Sequence, residues 1–237
     1  MPAVQLSTSW PFAALVGAVS VGYTLLSQPI KTSGGQSTAR NWASWSKRFD
    51  DVDFWMKMAF PMYMLHQFEE YGIDLRGRHF FFIETLCGQL GYPLASCPIR
   101  PWHLTYVNCG LVICSALRCR LRNAAPVLGS NFYGMCTINA LIHISFCIRA
   151  GEYYNGGLAT AILMLFPSGI LCFRALLKSG QVTRAGVARS LLVGVVAHIG
   201  VLGGLKSRAA GLLTDVPWMI EEFLSLVVLM NFHLPGF

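Results

Sequence analysis

Long apolar runs separated by short polar segments make up most of the chain. A transmembrane helix needs about 20 predominantly apolar residues, and seven runs approach that length. We therefore expect an all-α integral membrane protein in which residues 1–237 form a single transmembrane bundle of about seven helices. Six spans are the alternative, since the third run is short. The runs are Trp10–Ile30, Phe54–Tyr71, His103–Leu117, Asn131–Ile148, Gly157–Leu177, Val187–Leu205 and Val216–Phe232.

Two connecting segments have a character of their own. Residues 31–50 are rich in Ser and Gly and then basic, which predicts a basic cytoplasmic loop with a short interfacial helix. Residues 72–102 form a long connection whose apolar part, Phe80–Leu90, is too short to span and predicts a re-entrant or surface helix. Cys87 and Cys97 lie in this connection and can pair if it faces an oxidising compartment, a question that the sequence leaves open.

The distribution of Lys and Arg indicates how the bundle is oriented. With the N-terminus outside, the outer segments carry six basic residues, three of them in the long loop: Arg76, Arg78, Arg100, Arg149, Lys206 and Arg208. Cytoplasmic segments of membrane proteins carry the excess of Lys and Arg, which favours an N-out, C-in topology. The inner segments carry eleven: Lys31, Arg40, Lys47, Arg48, Arg118, Arg120, Arg122, Arg174, Lys178, Arg184 and Arg189.

Composition agrees with a multi-pass membrane protein. Hydrophobic residues make up 54%, charged residues 12%, and the mean hydropathy is +0.51. Soluble domains carry about 25% charged residues. The net charge of +7 is spread between apolar runs and forms no dense basic cluster, which argues against a nucleic-acid partner. The expected partners are the lipid bilayer and a lipophilic small molecule. The sequence does not indicate which membrane.

A polar triad interrupts the second run. His66 is followed by Glu69 and Glu70, and spacings of three and four residues put all three side chains on one helix face. Ionisable groups inside a membrane cost a few kcal/mol each on insertion scales and usually mark a functional site. The triad therefore predicts a functional role.

Alternating helix directions predict partners for this triad. His66 and His143 are each the thirteenth residue of their runs and His198 is the twelfth, so three parallel spans bring them to similar depth. Asn139 lies one turn before His143 on the same face. Helix packing alone also accounts for His198 and Asn139, and both of these readings stay open. The same depth is expected for Glu221 and Glu222 in the antiparallel last run, where solvated carboxylates near a helix N-terminus are the alternative.

The order of these motifs is similar to that of a known family. His66-x-x-Glu69-Glu70, then Asn139-x-x-x-His143, then Arg149 and Tyr154-Asn155-Gly156-Gly157 before a run containing Pro167 resembles the HXXEE-domain family of integral membrane proteins over residues 54–178. Gly156 departs from the family pattern, which has Pro there. The family has no settled activity. The resemblance implies a catalytic site of His66, Glu69, Glu70, Asn139 and His143. We expect supporting roles for Tyr154 and, from the depth argument alone, for His198, Glu221 and Glu222.

The leading hypothesis is an enzyme that acts on a lipophilic small molecule by general acid/base chemistry. Two adjacent carboxylates in a low dielectric do not both ionise easily, so one carboxyl beside a histidine can serve as acid and the other as base. Isomerisation, cyclisation, dehydration or epoxide opening would suit such a site, need no cofactor, and are typical of biosynthetic tailoring enzymes.

Two alternatives remain. His66, Glu70, His143 and His198 could hold zinc or iron in a metal-dependent membrane hydrolase or oxygenase. The polar cluster could instead serve a non-catalytic membrane protein that binds a small molecule or assists assembly. His79, His103 and His233 fall in loops or at span ends, where we expect surface positions.

Overall fold

Helices follow one another along almost all of the chain that the computed structural model describes, which is residues 2–32, 35–37, 42–112 and 125–228. A short antiparallel hairpin, β1 (Ile30–Thr32) with β2 (Gly35–Ser37), lies between the first two helices. The helices are α1 (Pro2–Ser27), α2 (Trp42–Phe49), α3 (Val52–Tyr71), α4 (Phe81–Gln89), α5 (Pro101–Thr105), α6 (Ala125–Ala150), α7 (Leu158–Lys178), α8 (Arg184–Ala209) and α9 (Asp215–Phe223).

Several of these helices contain or continue into irregular turns. Helix α5 continues as a π-helix over Tyr106–Val112, and α9 does so over Leu224–Val228. A 3₁₀ turn covers Leu94–Ser96. Within α7, Ala161–Leu165 is π-helical and ends just before Pro167. Proline has no N–H to donate to the preceding turn, which accounts for the altered hydrogen bonding there.

Four of the described helices are long and apolar enough to cross a membrane, which supports the predicted helical membrane protein. They contain Ser9–Ser27, Gly129–Ala150, Leu158–Lys178 and Arg184–Ala209. Helix α3 has 20 residues but carries Asp53, Lys57, Glu69 and Glu70, and its composition leaves it outside this group. The predicted third and seventh spans extend into 113–124 and 229–237, outside the described residues, so the count of seven stays a prediction.

Helix α6 packs closely on α8 through small residues. A Cβ atom added to Gly134 would lie 2.1 Å from the Ser190 carbonyl oxygen, and one added to Gly194 would lie 2.7 Å from the Gly134 carbonyl oxygen. The hydroxyls of Ser130 and Ser190 are hydrogen-bonded at 2.7 Å. Such small-residue contacts let membrane helices approach closely. Because residues 130 and 134 match 190 and 194, α6 and α8 run in the same direction.

Helix α3 also runs parallel to α6 and is tied to α7. The Tyr133 hydroxyl donates to the Trp55 carbonyl at 2.6 Å, near the start of both α3 and α6. Just before α3, Asp50 forms ion pairs with Arg174 at 3.3 Å and Lys178 at 2.5 Å, near the end of α7. The Lys178 hydrogen bond is the main cause that lowers the pKa of the Asp50 carboxyl. The three helices are thereby held in register at this end of the bundle.

The long connection folds over the opposite end of α3. The predicted short helix is present as α4, and its Phe82 ring packs edge-on against Tyr71 at 5.8 Å between centroids. The Phe82 ring also lies 5.1 Å from the His143 ring. Cys87 and Cys97 form a disulfide, which answers the question that the sequence left open. The connection therefore covers the end of the bundle where the polar triad lies.

The predicted surface position of His103 is wrong. Its side chain is buried, stacked on Trp102 at 3.8 Å and against Trp218 at 4.8 Å between ring centroids. His103 Nε2 lies 3.6 Å from an Asp215 carboxylate oxygen at the start of α9. The aromatic packing of α9 on α5 covers this histidine, and the sequence of α5 alone contains no sign of that contact.

Candidate functional site

Three buried side chains converge between α3 and α6. His66 and Glu70 come from adjacent turns of α3, and His143 comes from α6. Glu70 Oε1 lies 3.0 Å from His143 Nε2, and Glu70 Oε2 lies 3.6 Å from His66 Nε2. One potential ligand atom from each residue lies within 4.8 Å of the other two. The parallel α3 and α6 thus bring together three of the residues that the sequence predicted.

The hydrogen-bond network assigns the tautomer of His66. The Thr160 hydroxyl lies 2.5 Å from Glu69 Oε2 and 2.9 Å from His66 Nδ1. A carboxylate only accepts, so the hydroxyl donates to Glu69 and its oxygen accepts the Nδ1–H of His66. The neutral ring then carries a lone pair on Nε2, and that atom is buried without a hydrogen-bond partner among the described residues.

His143 is oriented in the same way by Asn155. The Asn155 amide nitrogen donates to the His143 carbonyl at 2.9 Å and to Cys147 Sγ at 3.1 Å, which fixes the orientation of the amide. Its oxygen, 2.7 Å from His143 Nδ1, must therefore accept an Nδ1–H. Nε2 of neutral His143 is consequently a lone pair directed at Glu70.

In this centre, lone pairs of neighbouring acceptor atoms therefore point toward one another. Nε2 of both neutral histidines and the carboxylate of Glu70 are acceptors, and among the described residues the donor defined at this carboxylate is the Gln67 amide, 2.6 Å from Oε2. Asn139 Oδ1 is a further buried acceptor with no partner within the described part of the chain. Converging lone pairs in a low dielectric repel one another unless a proton or a metal cation lies between them.

Glu69 has a different environment from Glu70. Its oxygens accept from the backbone N–H groups of Ala159 at 3.1 Å and Thr160 at 2.7 Å, besides the Thr160 hydroxyl. The Tyr154 hydroxyl donates to it at 2.8 Å and accepts the Leu75 N–H at 3.0 Å. Burial is the main cause that raises the pKa of the Tyr154 phenol. Glu69 thus caps the N-terminus of α7 and joins that helix to α3.

Gly157 forms the remaining wall of the centre. Its φ angle is +89°, in the region that favours glycine. A Cβ atom there would lie 2.5 Å from Glu70 Cγ, 2.8 Å from His143 Cε1 and 3.0 Å from His66 Cε1. The backbone that enters α7 therefore touches all three converging side chains, and only glycine fits between them.

A mostly apolar cavity of about 90 Å³ opens on one side of the centre. Glu70 and His143 line its polar end, together with Asn139 and His198. His198 therefore lines the same cavity as His143, whereas His66 is not part of its wall. The apolar wall includes Phe82, Leu86, Leu104, Val107, Val201 and Leu202.

Glu221 and Glu222 do not line this cavity. Both carboxylates pack against Gly204 of α8, where an added Cβ atom would lie 2.0 Å from Glu221 Oε2 and 2.8 Å from Glu222 Oε1. Gly204 is six residues beyond His198, roughly 9 Å along the helix. The Ser225 hydroxyl donates to Glu221 at 2.8 Å. A Cβ atom added to Gly200, two residues beyond His198, would lie 3.6 Å from Glu221 Oε1, so these carboxylates are displaced from the depth of His198 toward the C-terminal end of α8.

Sequence reasoning missed four residues that shape the centre: Gln67, Asn155, Gly157 and Thr160. Asn155 and Gly157 were part of the motif that carried the family resemblance, but no role was assigned to them. A polar Thr160 in the first turn of a span, three residues after a glycine, is a signal that could have been used. Gln67 could have been noted as a fourth polar residue beside the triad.

Comparison with known proteins agrees with the motif. No match to the chain was found among curated proteins or among solved structures. Residues 57–172 match the model of a family described as protein of unknown function with HXXEE motif. This segment, just under half of the chain, contains His66, Glu70 and His143 with the residues that orient them. Residues 57–172 are therefore similar to the HXXEE family, as the sequence motifs indicated.

Proposed function

We propose that the protein is a membrane-embedded, metal-dependent enzyme that acts on a lipophilic small molecule. The observation that carries this proposal is that one ligand atom each of His66, His143 and Glu70 lies within 4.8 Å of the others. Nε2 of both histidines lies 3.0–3.6 Å from the Glu70 carboxylate, and both rings are held in the tautomer that ligates a metal. Metal-binding histidines usually donate their other ring N–H to a neighbouring oxygen, as both rings do here.

The donor set suits zinc or iron. Two imidazoles and a carboxylate are the protein ligands of several catalytic zinc sites and of non-haem iron oxygenases. Three protein ligands leave positions open for water or substrate, whereas structural zinc sites have four. Glu70 and His143 also line the apolar cavity, so a bound ion would lie beside the space for an apolar ligand. A hydrolase or an oxygenase is the reaction class that this arrangement favours.

A second candidate is a metal-free acid/base enzyme, as the sequence first suggested. The 3.0 Å separation between His143 Nε2 and Glu70 Oε1 is a hydrogen-bonding distance if the pair shares one proton. Such a pair could donate and remove protons during an isomerisation, cyclisation or dehydration. The same residues serve both candidates, so metal content separates them.

Elemental analysis of the purified protein tests the proposal. We expect about one zinc or iron ion per chain, lost in the variants His66→Ala and His143→Ala because each removes a ligand. His79→Ala is the matched control, since His79 is exposed and lies outside the cluster, and it should keep the metal. A wild-type protein with no more metal than His66→Ala would rule out the metal centre and favour the acid/base enzyme.

We also propose seven spans with an N-out, C-in topology. The Cys87–Cys97 disulfide supports this orientation, because the proposed topology puts the connection that contains it outside, and disulfides persist in oxidising compartments. The test is alkylation of the protein in denaturant, with and without prior reduction, followed by mass spectrometry. Cys87 and Cys97 should react only after reduction, whereas Cys119, in a predicted inner segment, should react in both samples. Free Cys87 and Cys97 without reduction would contradict this orientation.

A further inference from the structure

His198 offers a hydrogen-bond acceptor at the polar end of the cavity. Its Nδ1 lies 2.8 Å from the carbonyl oxygen of Gly194, one turn earlier in α8. A carbonyl only accepts, so Nδ1 carries the hydrogen and Nε2 of the neutral ring carries a lone pair. Nδ1 is thus engaged by the α8 backbone and His198 lines the cavity, which leaves Nε2 as the ring nitrogen available to a ligand. No described residue donates to Nε2.

Asn139 adds a second acceptor to the same end. Its Oδ1 atom is buried and has no partner among the described residues, although the side chain lines the cavity. An unsatisfied buried carbonyl destabilises the protein, so a ligand that donates to it recovers that free energy. Glu70, the carboxylate among the described residues that line the cavity, is also an acceptor.

The rest of the wall restricts the ligand further. Among the described residues that line the cavity, none is Lys or Arg, so no basic side chain is available to balance an anionic headgroup. A ligand carboxylate or phosphate would also lie beside the carboxyl group of Glu70. The Tyr63 hydroxyl donates to Asn108 at 2.9 Å, which uses its hydrogen within the wall. A neutral ligand with its own donor therefore complements this cavity best.

We propose that the cavity binds a neutral lipophilic alcohol, whose hydroxyl donates to His198 Nε2 or Asn139 Oδ1 while its hydrocarbon part fills the apolar remainder. This inference names the substrate class of the function proposed above and rests on that function only for the statement that the ligand is a substrate. The hydroxyl would lie next to Glu70 and His143, so the carbon–oxygen bond of the ligand would be the part nearest to the centre formed by His66, Glu70 and His143.

A matched pair of probes tests the hydroxyl directly. Purified protein in lipid nanodiscs is titrated with 1-decanol and with its methyl ether, which keeps the oxygen and the chain but has no hydrogen to donate. We expect the alcohol to bind roughly three- to tenfold more tightly, the range of one hydrogen bond, as measured by the shift in thermal unfolding temperature. Equal binding of the ether would overturn the proposal.

Variants of His198 identify the acceptor and separate this inference from the metal proposal. His198→Phe keeps a ring and removes the acceptor, so it should lose most of the preference for the alcohol, whereas His198→Gln restores an acceptor and should recover part of it. An undiminished preference in His198→Phe would show that His198 does not bind the hydroxyl. Metal content should be the same in all three proteins. If the purified wild-type protein contains no metal but still prefers the alcohol, this inference stands and the proposed metal centre is rejected.

Discussion

Glu70→Gln should empty the metal centre. The variant keeps the size of the side chain but removes the negative charge that lies between the two Nε2 lone pairs. Loss of an outer hydrogen-bond partner alone costs 10- to 100-fold in metal affinity, so we expect loss of a ligand to exceed about 100-fold. Elemental analysis after dialysis against a chelator measures this loss.

Glu69→Gln is the matched control for that experiment. The same substitution one residue earlier should weaken metal binding much less, because Glu69 faces the N-terminus of α7 and reaches His66 only through the Thr160 hydroxyl. It should instead destabilise the protein by about 1–3 kcal/mol for each of the α7 donors left unsatisfied. Thermal unfolding in detergent measures that effect. Equal metal loss in both variants would contradict the division of roles between the two glutamates.

Gly157→Ala should disrupt the centre from the backbone side. The added Cβ atom would lie 2.5 Å from Glu70 Cγ and within 3.0 Å of both histidine rings, so at least one of the three side chains must move. The φ angle of +89° adds about 1–3 kcal/mol of backbone strain, and overpacking adds about 1–3 kcal/mol. We expect both a lower unfolding temperature and a loss of bound metal.

Gly180→Ala is a control that separates the effect of backbone strain from the effect of the Cβ contact at Gly157. Gly180 also has a positive φ angle, +70°, but a Cβ atom there would meet nothing within 4 Å. This variant should therefore show only the backbone cost, a lowered unfolding temperature with unchanged metal content. If Gly157→Ala behaved like Gly180→Ala, the described contact between Gly157 and the three side chains would be wrong.

The helical period and the alternation of spans were sufficient to predict part of the site. The sequence placed His66, His143 and His198 at one depth, and α3, α6 and α8 are indeed parallel and bring them to one centre and its cavity. The same reasoning failed for Glu221 and Glu222. Counting residues from the end of a predicted span assumes that all spans end at the same depth. Helix α8 runs on to Ala209, beyond the predicted end at Leu205, and these carboxylates meet Gly204.

Other features depend on contacts that a single sequence does not encode locally. Glu69 and Glu70 are neighbours of the same type on one helix face, and only the arrival of the α7 N-terminus distinguishes them. The tautomers of His66 and His143 likewise follow from Thr160 and Asn155, which lie 94 and 12 residues away in the chain. The burial of His103 results from packing against α9.

The position of the centre relative to the helix ends has a consequence for how a molecule would reach it. His66 lies five residues before the end of α3 and His143 seven before the end of α6, roughly 8–10 Å along each axis. An amphiphile in a bilayer keeps its polar group near the headgroups and its tail in the hydrocarbon. Such a molecule could present its polar end at this depth by lateral diffusion, without turning over and without leaving the lipid.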